Sequence, residues 1–139
     1  MMRFAFYLVR FLALAVLLAP LVHAEVPPLP AAELLEDASV VVTGKILHIQ
    51  TADKKLDAGF VNSEYTLEIS ITKVLKGDGL SVGQKVVAKT WKSKERPRGW
   101  TGPGGQYTIP KEGSSVKIYL TGAKGNFTAL LPNGIEILK

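Results

Sequence analysis

Between Lys92 and Ile109 the sequence concentrates the residue types best suited to holding a ligand. The run Arg96-Pro-Arg-Gly-Trp-Thr-Gly-Pro-Gly-Gly105 places six Gly or Pro in ten positions around Trp100. From Lys85 to Arg98 there are six cations, Lys85, Lys89, Lys92, Lys94, Arg96 and Arg98, against one acid, Glu95. Guanidinium beside indole supplies stacking and cation–π contact, and glycine-rich backbone exposes N–H groups that can hold an anion. Long connections without regular structure are uncommon in small domains and often functional. Lys92, Lys94, Arg96, Arg98, Trp100 and Gln106 are therefore the candidate ligand- or partner-binding residues. The same composition also fits a lid, with Trp91 and Trp100 folded back on a barrel end, the cations solvating the loop and Gln106 hydrogen-bonding within it.

Catalytic chemistry finds little to work with. The 139 residues contain no cysteine and two histidines, so a thiol nucleophile, a disulfide framework and a Cys-ligated zinc are excluded. His48 falls in a β-rich run, in phase with Val42 and Ile46, without a second histidine at ligand spacing. That pattern marks a structural or half-exposed residue rather than a catalyst. Asp53 and Asp57 lie near Glu64 but lack the alternating acids of a calcium loop. Gly102-Pro-Gly-Gly-Gln106 is not followed by Gly-Lys-Ser/Thr or by a helix, so it is neither a phosphate loop nor a dinucleotide fingerprint. No Gly-x-Ser-x-Gly elbow occurs. No catalytic residue, metal site or cofactor is expected.

The elements that must carry the loop begin after a leader. Residues 1–24 have a basic start (Arg3, Arg10), an apolar stretch from Phe11 to Val22, and Val22-His-Ala24 before a cleavage point, the arrangement of a secretory signal peptide. A spanning helix needs about 20 uninterrupted apolar residues, and Arg10 breaks the longer run. Cleavage after Ala24 would leave 115 residues and lower the formal net charge from +5 to +3, since two arginines leave and all twelve acids stay. The expected location is periplasmic or secreted, with no membrane span after cleavage. One hydrophobic core suits that length.

Residues 25–38 read as a Pro-rich lead-in followed by a short helix over Ala31–Asp37, with Leu34 and Leu35 available to pack inward. Residues 39–139 read as strands. Ser39–Gln50 is β-branched, with Gly44 marking a bulge or bend. Thr51–Gly59 is polar and reads as a loop. Glu64–Val74 has the cleanest alternation, Tyr65, Leu67, Ile69 and Ile71 on one face and Thr66, Glu68, Ser70 and Thr72 on the other. Gln84–Trp91, Ser115–Thr121, Phe127–Leu131 and Ile135–Leu138 complete the set. The expected fold class is all-β, a small five-stranded OB-like Greek-key barrel with one short N-terminal helix.

The runs Ala38-Ser-Val-Val-Val-Thr-Gly-Lys-Ile-Leu, Tyr65-Thr-Leu-Glu-Ile-Ser-Ile-Thr-Lys-Val-Leu-Lys-Gly-Asp and Gly83-Gln-Lys-Val-Val-Ala-Lys-Thr resemble the OB-fold domain of secreted netrin-like and TIMP-like proteins, bacterial secreted members in particular. The resemblance covers about residues 36–131. It implies the barrel and an extracytoplasmic setting. The TIMP branch reaches its protease's metal through an N-terminal cysteine; this chain has none, so that inhibition does not carry over.

The function expected is an exported, non-catalytic binding module for a protein or cell-envelope partner, using the loop 92–109. The alternative is binding of a polyanion, nucleic acid or acidic polysaccharide, through Lys85–Arg98. Nucleic acid is the less favoured partner, because net charge is modest and alternate strand residues face opposite ways.

Overall fold

The computed structural model of this protein describes residues 26–139; the leader expected over residues 1–24 lies outside them. The chain enters through an extended segment, and Pro30 (φ −58°, ψ 150°) delivers it into helix α1, Ala31–Asp37. Proline suits that place because its φ is already set and its missing N–H would have had no partner. Leu34 is buried, whereas Leu35 is 48% exposed. The two expected inward leucines reduce to one, because successive helical residues point about 100° apart.

Five strands close a barrel. β1 (Val40–Lys55) pairs antiparallel with β2 (Val61–Lys76), and β2 with β3 (Lys85–Glu95). β4 (Ser115–Ala123) pairs antiparallel with β1 and with β5 (Asn126–Ala129). A parallel contact of β3 with β5, Ala88 opposite Phe127 and Lys89 opposite Thr128, shuts the circle. β6 (Ile135–Ile137) adds alongside β4. This is the all-β, small five-stranded OB-like barrel with one short helix that the strand pattern predicts. Among the described residues no helix is long and apolar enough to cross a membrane.

The alternating face read from β2 points inward. Leu67, Ile69 and Ile71 are at most 1% exposed and meet Val42, Ile118 and Phe127 in the main core. Each such side chain contributes about 1.5–3 kcal/mol when fully buried. Val41 points the other way yet is also buried, because α1 covers the outside of β1 there; Leu34, Ala38, Val41 and Tyr119 form a second cluster. The valine run at 40–42 is thus covered on both faces.

Gly44 sits at a register shift in β1, the bulge that its place in the sequence predicts. A further shift between Ile46 and His48 turns both Leu47 and His48 outward. His48 is therefore out of phase with Val42 and Ile46, and its Nδ1 lies 2.9 Å from Glu112 Oε1 at the surface.

Two strands run further than expected. β1 continues through Thr51–Lys55, read from sequence as loop, and turns at 56–60, where Leu56 N–H donates to Phe60 O at 2.8 Å. β3 continues through Lys92–Glu95. Together with the start of β2 these stretches form a three-stranded wing beyond the barrel. Residues 50–55 are all exposed, so no apolar alternation marks them and backbone pairing alone makes them strand. Beyond Lys45, β1 has β2 on one side and, among the described residues, no strand on the other.

Candidate functional site

The glycine-rich loop is a flap folded against the edge of β3. After Glu95 the chain turns at Pro97–Trp100, where Trp100 N–H donates to Pro97 O at 3.1 Å, and then returns beside the strand. Ser93 N–H donates to Gly104 O and Gln106 N–H to Trp91 O, each at 2.8 Å. Gly105 makes this possible. Its φ is +80°, and a β-carbon there would stand 2.4 Å from Trp91 O. Lys92 and Lys94 consequently belong to β3, and the irregular segment begins at Arg96.

Arg96 is built into the flap's base. Its Nη1 donates to Val61 O (3.1 Å) and Glu95 O (2.9 Å), and its Nη2 to Asn62 Oδ1 (2.6 Å). The guanidinium lies 5.1 Å from the Phe60 ring centre and 5.9 Å from that of Trp91. Phe60 in turn meets Trp100 edge to face at 5.0 Å. The hairpin tip of β1 and β2 therefore supports the flap, with Trp100 packed there against Phe60. Replacing Arg96 with alanine removes three hydrogen bonds and the plate between two rings. The expected cost is about 1–3 kcal/mol, read by thermal unfolding, together with red-shifted tryptophan emission. Lysine cannot reproduce the fork, so Arg96→Lys should behave like Arg96→Ala; an unchanged melt in both would mean that Arg96 is not a brace.

The other candidates have different fates. Gln106 is 1% exposed. In the amide orientation its neighbours dictate, its nitrogen donates to Pro132 O (2.8 Å) and Leu130 O (3.1 Å) while its oxygen accepts from Ile135 N–H (3.1 Å). It faces the interior rather than a ligand. Lys92 Nζ donates to Tyr107 O at 2.7 Å. Lys94 is paired with Asp53, which also accepts from Ser63 Oγ at 3.0 Å. The Lys94 hydrogen bond, then that of Ser63, holds the Asp53 carboxyl below the usual carboxylate range, and Asp53 raises Lys94 above the usual lysine range. Both groups are exposed, so the pair carries little stability.

Arg98 and Trp100 remain outward. Arg98 is exposed and makes no ion pair among the described residues. Trp100 is 45% exposed, with one side of its indole over Gly102, where a β-carbon would stand 2.1 Å from the ring. Lys85 lies 3.5 Å from Glu68. Lys85 and Lys89 share the outer face of β3 with Trp91, and Lys92 and Lys94 take the other, as strand alternation requires. The structure thus separates the basic set.

Sequence reasoning missed two features. Phe60 completes the aromatic support, and nothing in the local pattern links it to Arg96. An open groove of 260 Å³ also runs outside β2, β3 and β5, lined by Glu64, Thr66, Lys89, Trp91 and Thr128 among others. Its alternate positions in two strands were the available signal. Among the described residues no cluster of three or more His, Asp or Glu could hold a metal ion. No family model, no curated protein and no solved structure matches this chain.

Proposed function

We propose that this chain is an exported, non-catalytic binding module that holds a protein or cell-envelope partner at its flap through Arg98 and Trp100. The observation that carries this reading is the contrast within the flap: Arg96 is spent on internal bonds, whereas Arg98 makes no ion pair among the described residues and Trp100 is half open on a braced support. A rigid, partly exposed aromatic beside an unpaired arginine is the pattern of an interface anchor, because little conformational freedom is lost on contact. The leader supplies the argument for export. Polyanion binding is the weaker reading, because Lys85 and Lys94 are already paired with acids and the lysines lie on two faces.

The test is capture of partners from the host's extracytoplasmic fraction, comparing the unmodified protein with an Arg98→Ala/Trp100→Ala variant. The expected result is loss of a retained partner, by at least tenfold, in a variant whose melting temperature stays within a few degrees. A variant that keeps every partner overturns the proposal. A bound species released steeply by salt would instead support the polyanion reading.

A further inference from the structure

The segment entering the fold is itself seated in a groove. Val26 lines a small apolar cavity of 70 Å³ together with Trp91, Pro103, Tyr107, Leu131 and Pro132. The Tyr107 hydroxyl donates to Val26 O. Three residues on, Leu29 is gripped at both backbone groups by one amide: Leu29 N–H donates to Asn133 Oδ1 and Asn133 Nδ2 donates to Leu29 O, each at 2.9 Å. Pro27 and Pro28 between them are exposed, and Leu29 packs against the cluster of Leu34 and Tyr119.

This spacing has a physical meaning. Polyproline II has about three residues per turn and no internal hydrogen bonds, so positions 26 and 29 share a face and their backbone groups are free for a partner. Pro30 has the dihedral angles of that helix. Aromatic rings, a tyrosine hydroxyl on a carbonyl and a side-chain amide bridging one residue's N–H and C=O are the devices by which grooves recognise such segments. The cost of ordering is small, because prolines hold the segment extended beforehand.

We propose that the groove from Trp91 and Tyr107 to Asn133 is a recognition site for extended peptides of the pattern apolar-Pro-Pro-apolar, and that Val26–Pro30 is its resident occupant, displaceable by such a peptide from another protein. The site shares no residue with Arg98 and Trp100, so it stands whether or not the flap binds a partner. The cavity beside Val26 also leaves room for a larger side chain. An incoming peptide with leucine there gains about one buried methylene, roughly three- to fourfold in affinity.

The test uses the protein encoded with all 139 residues, purified in the form the cell yields, and the acetylated peptide Val-Pro-Pro-Leu-Pro. Val26→Asp/Leu29→Ser releases the resident segment. Calorimetry or tryptophan fluorescence should show the peptide binding this variant at least tenfold more tightly than the unmodified chain, where the tethered segment competes at millimolar effective concentration. Adding Asn133→Ala to the variant should remove binding, and Val-Ala-Ala-Leu-Ala should bind more weakly. Equal affinity for variant and unmodified chain, or binding that survives Asn133→Ala, overturns the proposal. If the variant does not fold, the unmodified chain decides. Saturating peptide must shift the NMR signals of the displaced resident residues Val26 and Leu29, and their constancy overturns the proposal equally.

Discussion

Gln106→Leu should lower the melting temperature by about 10 °C or more, although leucine is a fair match in size and more apolar. The reason is the distribution of partners. Pro132 O and Leu130 O each keep a second donor when the amide is lost, Tyr107 N–H and Gly134 N–H respectively. Ile135 N–H points away from β4 and has the Gln106 oxygen as its acceptor. Leucine therefore strands one buried donor, at about 1–3 kcal/mol, and removes two further bonds worth about 1 kcal/mol each. A loss of about 3 kcal/mol in a domain of this size is about 10–15 °C. The Gln106→Glu variant is a sharper probe. Its carboxylate would accept from Ile135 N–H but face two carbonyl oxygens, so the folded state would favour the protonated acid and raise its pKa. The variant should thus be more stable at mildly acidic than at neutral pH, the reverse of an ordinary paired carboxylate. A Gln106→Leu melt indistinguishable from the parent's would show that the amide is not the clamp between the flap and β6.

Gly44→Val should be more damaging still, leaving little folded protein. Even the first added carbon would stand 2.6 Å from Ile69 Cγ2 and 2.6 Å from Ser70 O. A side chain can be repacked, but the Ser70 carbonyl is backbone of the paired strand. Relief requires β1 and β2 to part in the middle of the core. Overpacking a core costs about 1–3 kcal/mol where side chains can yield, and the backbone contact places this site at or beyond that limit. Gly44→Ala should therefore already cost about 3 kcal/mol by denaturant unfolding. Trimming Ile69 to alanine in the same chain should not restore it, since the carbonyl remains. Full stability in Gly44→Ala would mean that the two strands separate there without penalty.

The sequence was most legible where one face is buried. The clean alternation of Tyr65–Ile71 and the proline-led helix at Ala31–Asp37 both appear as read, because burial and capping leave their mark on residue type. The wing did not show, because Thr51–Lys55 are exposed and Lys92–Glu95 at most half-buried, and hydrogen bonds do not select side chains. His48 was misphased by a bulge at Leu47, which breaks the period of two without any glycine to announce it. At the site, the composition of 96–105 did mark an unusual segment. It could not separate Arg96 from Arg98, since what distinguishes them is Phe60, Val61 and Asn62, more than thirty positions earlier. Gln106 looked available for the same reason: its three partners lie in the last ten residues of the chain.

The wing has one more consequence. From Ile49 to Lys55 the rim of β1 offers backbone N–H and C=O groups to whatever approaches, the circumstance from which domain swapping and fibrillar polymerisation start. Near the hairpin end that rim carries Asp53, Lys54 and Lys55, and Glu112 covers its beginning by accepting from Ile49 N–H at 3.0 Å. A strand arriving to extend the sheet must desolvate these charges. The hairpin can therefore project far enough to brace the flap while its open rim resists stacking with copies of itself.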